Sequence, residues 1–172
     1  PQLEELAVAL AQMGAELAVS SLRLETISPT LLEALVQGGA RSITLAPEAG
    51  TERLRRRLRK SVSDQDILRA VGMVAASGLR QLKLYFMLGL PGETESDVEG
   101  LVRLAEEIKA RLGPGRRLEL NVSPFVPKAG TPFQRQPMAP PEVLRARWEE
   151  IRRRLRPQGI AVEGESPQWS RI

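Results

Sequence analysis

The sequence predicts an α/β fold: a parallel sheet of four or more strands with helices outside it, in the manner of an incomplete (β/α) barrel. Three observations carry this. Apolar runs with a period of two alternate along the chain with runs of helical period. The stretches between strands are long enough to hold a helix, which brings parallel pairing and right-handed crossovers. Finally, 172 residues with 42% hydrophobic and 27% charged side chains suit a single domain.

The elements follow in order. Leu3, Leu6, Leu10 and Met13 form one helical stripe, Glu4 and Glu5 suit the positive end of its dipole, and Gly14 can end it. Glu16 to Ser21 reads as a strand. Ser28 and Pro29 fit the N-cap and N1 positions of a helix with Leu31, Leu32, Leu35 and Val36 inward, stopped by Gly38-Gly39. Ser42 to Ala46 is a second strand, leading through Pro47-Glu48-Ala49-Gly50 into a short basic helix. There Leu54 and Leu58 anchor the helix while the arginines between them fan outward. Ser63 with Asp66, and Thr94 with Asp97, are capping boxes for two further helices that flank a third strand, Leu82 to Leu88. Leu118 to Val122 is a fourth strand. Residues 123–141 hold six prolines and read as a long ordered loop anchored by Phe125 and Phe133. Pro141 then opens a last helix, Ile160 to Val162 offers a short strand, and 164–172 is expected as an irregular tail.

Composition excludes much chemistry. Without Cys or His there are no disulfides, thiolate-held clusters, thiol nucleophiles, imidazole bases or the usual zinc sites. No apolar run approaches the ~20 residues of a membrane span. The opening Pro-Gln-Leu-Glu-Glu lacks the pattern of a secretory leader, so a cytoplasmic protein is expected, and a start in mid-pattern reads as a piece of a longer chain. The net charge of +4 is uneven, with six cations against one Glu between residues 51 and 60.

Ligands of parallel α/β folds gather at the carboxyl ends of the strands. On the third strand Lys83, Tyr85, Met87 and Gly89 share one face, opposite Leu82, Leu84, Phe86 and Leu88. Lys83 and Tyr85 then face a polar cavity or barrel interior, where an ammonium needs an anion: a ligand's carboxylate or phosphate, or Glu48 or Glu119. Gly89-Leu90-Pro91-Gly92-Glu93-Thr94 is either a ligand loop or a tight turn; it has neither the phosphate-loop ending nor the dinucleotide glycine spacing. Glu48 can accept hydrogen bonds from a ribose, with Gly50 leaving room beside it, or cap the helix that follows. Asn121 and Ser123 share a strand face with Glu119. No catalytic triad, carboxylate pair or metal-ligand array is apparent.

Ser20-Ser21-Leu22-Arg23, the segment Thr44 to Gly50, the segment Lys83 to Thr94, and Asn121 to Lys128 with Gly130-Thr131-Pro132-Phe133 together resemble the later half of radical SAM domains. The resemblance is greatest to uncharacterised radical SAM proteins that often carry a cobalamin-binding module, and more distant to methylthiotransferases and oxygen-independent coproporphyrinogen oxidases. It implies strands three to six of a partial (β/α)6 barrel, with Glu16 to Ser21 as the third. It implies S-adenosylmethionine and a [4Fe–4S] cluster in the parent protein, with cobalamin left open. By the same resemblance Glu48 meets the cofactor's ribose and Ser21 or Arg23 its methionine end. Lys83 and Tyr85 are lumen residues, Gly89, Leu90 and Pro91 lie beside the adenine, and the segment Val122 to Phe125, with Ser123 and Phe125, flanks the base. Tyr85 stands where coproporphyrinogen oxidases have an Asp, which leaves Lys83 to meet the methionine carboxylate.

The family's Cys-x3-Cys-x2-Cys motif is missing. The expectation is therefore an inert fragment whose partner is the missing N-terminal half of the barrel, from a parent that cleaves S-adenosylmethionine to a 5′-deoxyadenosyl radical. Self-association through the truncated strand edge is a further expectation, and a membrane partner is not expected. The alternative is a non-catalytic α/β module contacting RNA or an acidic protein through Arg53 to Lys60 and Arg152 to Arg156.

Overall fold

A computed structural model describes residues 2–164; the expected tail falls beyond them except for its first residue. The order is α1 (Gln2–Gln12), α2 (Pro29–Gln37), β1 (Ser42–Glu48), α3 (Glu52–Arg57), α4 (Asp64–Ala76), β2 (Gln81–Leu88), α5 (Glu95–Leu112), β3 (Arg117–Pro124), α6 (Pro141–Leu155) and β4 (Ile160–Glu163). The four strands lie in the order β1-β2-β3-β4 and every pairing is parallel. The helices start where the side chains say they should. Ser28 and Thr51 accept from the backbone amides of Leu31 and Leu54, and both capping boxes form.

Alternation along the strands divides the sheet into two unlike faces. Ile43, Leu45, Leu82, Leu84, Phe86, Leu88, Leu118, Leu120, Val122, Ile160 and Val162 join one core with the inward faces of the helices. On the opposite face Lys83, Met87, Glu119, Asn121 and Ser123 are half-buried and Tyr85 is 40% exposed. Parallel sheets are normally covered on both faces; among the described residues this one is covered by helices on one, as a sector of a barrel wall is.

One expectation near the N-terminus is corrected. Glu16 to Ser21 is not a strand: the segment is tied by one hydrogen bond from Leu17 N–H to Gly38 O (2.8 Å), and the single bridge to the sheet comes after it, at Leu22, which pairs with Leu45 and donates to Thr44 O (3.0 Å). Leu17 packs against Gly38, where any side chain would collide with it, and this contact carries the segment across the end of α2 before it meets β1. The sheet therefore opens at Ser42 and takes its fourth strand from Ile160–Glu163. The helix expected at Leu3 to Met13 forms as α1, with its leucine stripe largely exposed. Leu3, Leu6 and Met13 are 41%, 56% and 81% exposed, and the face against α2 is made by Ala7 and Ala11.

Candidate functional site

The carboxyl end of β1 is irregular. Leu45 pairs with Leu84 and Glu48 with Phe86, so one extra residue is accommodated on β1, around Pro47, which has no N–H to leave unpaired. The bulge ends on Glu48 at φ +71°, a left-handed conformation that non-glycine residues seldom hold without support. Support comes from two cations of the basic segment. Lys60 Nζ donates to Glu48 Oε1 (2.7 Å) and to Ala46 O (3.3 Å). Arg55, fully buried, donates to Ala49 O (2.9 Å) and Val62 O (2.8 Å) and pairs with Asp64. The expectation that the arginines between Leu54 and Leu58 all point outward is thus wrong for Arg55: the short helix lays it against a loop whose carbonyls have no strand partner, and a guanidinium can satisfy several at once.

Glu48 stands between two clefts. One, of about 910 Å³, is lined by Ser21, Arg23, Thr26, Glu48, Arg59 and Lys60 among others. The other, of about 210 Å³, lies between Glu48, Arg57, Arg59, Lys60 and an apolar wall of Leu58, Met87, Pro132 and Phe133. Among the described residues Oε2 of Glu48 has no hydrogen-bond partner, and Glu48 lines both spaces.

The candidates divide accordingly. Ser21, Arg23 and Glu48 come together around the larger cleft. Lys83 and Tyr85 lie lower on the open sheet face, and Lys83 Nζ pairs with Glu119 Oε1 (3.4 Å), which also accepts from Gln81 through Oε2 (2.8 Å). Of the two anions within the chain considered for Lys83, Glu119 is the one found; Glu48 belongs to Lys60. Ser123 shares that face and donates to Asn121 Oδ1 (3.2 Å). Leu90 and Phe125 are buried with Ala49 and Leu54 in a small cluster against Leu58, Met87 and Phe133, and Phe125 meets Phe133 edge-on with ring centroids 6.1 Å apart. Pro91 lines a narrow slit beside them.

The glycines expected to make room for a ligand make room for protein. A Cβ on Gly89 would stand 2.5 Å from Leu144 Cδ2, and one on Gly50 would stand 2.5 Å from the backbone of Leu101. The turn after β2 is held from within: Gly89 N–H donates to Glu93 Oε2 (2.7 Å), and Arg147 of α6 donates to the same carboxylate (2.9 Å). Burial outweighs both contacts and raises Glu93 to about 7. Asp97 goes the other way. Burial works against its charge, but hydrogen bonds from Thr51, Thr94 and Arg53 prevail and hold it at about 2.

Lys60 and Arg55 were not foreseen as neighbours of Glu48. Lys60 is twelve residues away with α3 between them, so no period links the two; the only sign in the sequence was a dense run of cations directly after an acidic strand end.

The chain offers no thiolate, and among the described residues no group of three or more His, Cys, Asp or Glu is placed to hold a metal ion. An iron-sulfur cluster does not fit the residues present. A polar ligand with hydroxyls and a carboxylate does fit the larger cleft, where Glu48 offers an acceptor and Ser21 and Arg23 offer donors. Among the described residues no helix is long and apolar enough to cross a membrane.

Comparison with known proteins gives the family of the chain. The model of the radical SAM superfamily matches residues 1–105, and the chain belongs to that superfamily. It is 35% identical over 162 residues to an uncharacterized protein of Methanocaldococcus jannaschii, covering 94% of this chain and 35% of that one. The chain thus spans about a third of the length of that relative. These matches reach the level of the superfamily, whose members work in general with S-adenosylmethionine and an iron-sulfur cluster.

Proposed function

We propose that this chain is the cysteine-free wall of a larger S-adenosylmethionine-dependent radical enzyme, with Glu48 as the carboxylate that receives the ribose of the cofactor. The observation that carries this reading is Glu48 itself: a strained residue at a strand's carboxyl end, braced by Lys60 through one oxygen, its other oxygen without a partner among the described residues, beside a cleft that Ser21 and Arg23 also line. Strain that is supported from several sides is characteristic of sites that do something.

On this reading the division of labour is simple. The cluster and the cleavage of S-adenosylmethionine to a 5′-deoxyadenosyl radical belong to a cysteine-bearing segment outside these 172 residues. This chain's residues bind and orient. Glu48 accepts the ribose hydroxyls, Arg23 and Ser21 meet the methionine end, and the half-polar face of β2 and β3 borders the substrate space. The full-length protein, reconstituted anaerobically with iron and sulfide and then reduced, should release 5′-deoxyadenosine from S-adenosylmethionine; replacing the cluster cysteines by serine should abolish release. Release that persists without those cysteines sinks the proposal.

A further inference from the structure

Arginine supplies 21 of the 25 cations of this chain, so the informative ones are those that nothing inside the protein answers. Segment 52–60 separates them cleanly. Arg53 is taken by Asp97 and the carbonyl of Gly92, Arg55 by Ala49, Val62 and Asp64, Lys60 by Glu48, and Arg56 lies 4.0 Å from Glu52. Among the described residues the side chains of Arg57 and Arg59 form no hydrogen bond or ion pair, and neither does that of Arg23 across the cleft.

Arg59 holds its place at a conformational cost. Helix α3 ends with Arg59 N–H bonded to Arg56 O (3.0 Å) and Lys60 N–H to Arg55 O (2.9 Å), which makes Arg59 the left-handed residue just past the C-cap, at φ +57°. Glycine is the usual occupant of that position. Here a long cation occupies it instead, and its side chain lines both clefts beside Glu48. Arg57 joins it on the smaller one, whose opposite wall of Leu58, Met87, Pro132 and Phe133 is apolar. Among the described residues the only carboxylate lining that cleft is Glu48, already engaged by Lys60.

Two unanswered guanidiniums facing an apolar wall suit a ligand with a doubly charged head and an apolar body. A carboxylate carries one charge, whereas a phosphate ester carries up to two and matches the guanidinium fork. We infer that the cleft between Glu48 and Phe133 takes a substrate bearing a phosphate ester, its phosphate held by Arg57 and Arg59 and its body laid along Met87 and Phe133. The inference rests on the proposed function only for which end of the sheet receives the ligand. The phosphate comes either from a small phosphorylated molecule or from a nucleic-acid strand, and the two sources are separable by measurement.

The test is titration calorimetry of the full-length protein at low ionic strength with two probes, phenyl phosphate and a short oligouridylate. Neither carries an adenosyl group, so the outcome is independent of whether Glu48 meets a ribose. Arg59→Gly removes one guanidinium at a position where glycine relieves strain, so the variant folds; Arg57→Gln/Arg59→Gln removes both; Arg41→Gln/Arg80→Gln removes the same charge from the opposite end of the sheet. Binding of at least one probe should fall about tenfold or more in Arg59→Gly and further in Arg57→Gln/Arg59→Gln, with Arg41→Gln/Arg80→Gln unchanged. Phenyl phosphate bound as well as the oligonucleotide identifies a small substrate; an oligonucleotide bound far more tightly identifies a strand. Binding of neither probe, or equal losses at the two ends of the sheet, overturns the inference.

Discussion

Replacing Arg55 by Met tests how the end of β1 is braced. Met fills most of the same space with apolar atoms, so the substitution removes the guanidinium while leaving little cavity. The wild-type side chain is fully buried and donates to Ala49 O and Val62 O, carbonyls that among the described residues accept from no other group. Hydrogen bonds from a charged donor contribute about 1.5–3 kcal/mol each, and orphaning a buried acceptor costs about 1–3 kcal/mol. Asp64 is half-exposed and can turn to water, so its loss adds little. The expected destabilisation is about 3–5 kcal/mol, of the size seen when a buried charge pair is broken. Urea unfolding followed by circular dichroism should show it as a lower midpoint at unchanged slope, with a melting temperature lower by roughly 10 °C. A loss under about 1 kcal/mol would refute the reasoning, because it would mean that the two carbonyls are satisfied without Arg55.

Three other predictions concern the neighbouring elements. Gly50→Ala drives a methyl into the backbone of Leu101 on α5 and should cost more than the ~1–3 kcal/mol of ordinary overpacking, read by the same unfolding assay. Because Glu93 is raised from 4.5 to about 7 in the folded protein, the folded state holds that proton more tightly than the unfolded chain. Its contribution to stability is full below about pH 4.5, declines as pH rises to about 7 and is absent above; Glu93→Gln should flatten that part of the profile of unfolding free energy against pH. Lys60→Met should free both oxygens of Glu48 and loosen residues 46–49, seen as faster amide exchange confined to that segment.

The sheet and its helices were legible because their signals are local and agree with one another. Alternation in Leu82–Leu88 and Leu118–Val122 and two complete capping boxes each leave one consistent structure. Glu16 to Ser21 misled because the apolar run Leu17-Ala18-Val19 is bounded by polar residues as a short strand's would be, while what decides the path is the contact between Leu17 and Gly38, which no local pattern contains.

The site was legible to a smaller extent. Glu48 could be singled out from its place at a strand end, and the shared face of Lys83, Tyr85 and Ser123 from the period of two. That Glu119 answers Lys83, that Lys60 answers Glu48, and that the space at Gly50 and Gly89 belongs to Leu101 and Leu144 all depend on packing between elements distant in sequence.

The central claim is that Glu48 is the ligand-facing carboxylate of this wall, and it is tested most directly by titrating S-adenosylmethionine into the full-length protein with its cluster reconstituted, beside the same protein carrying Glu48→Ala. Loss of the hydrogen bonds to the ribose should weaken binding by roughly 1–3 kcal/mol, about a factor of five to over a hundred, with fold and cluster content unchanged. Equal affinities in the two proteins would contradict the account.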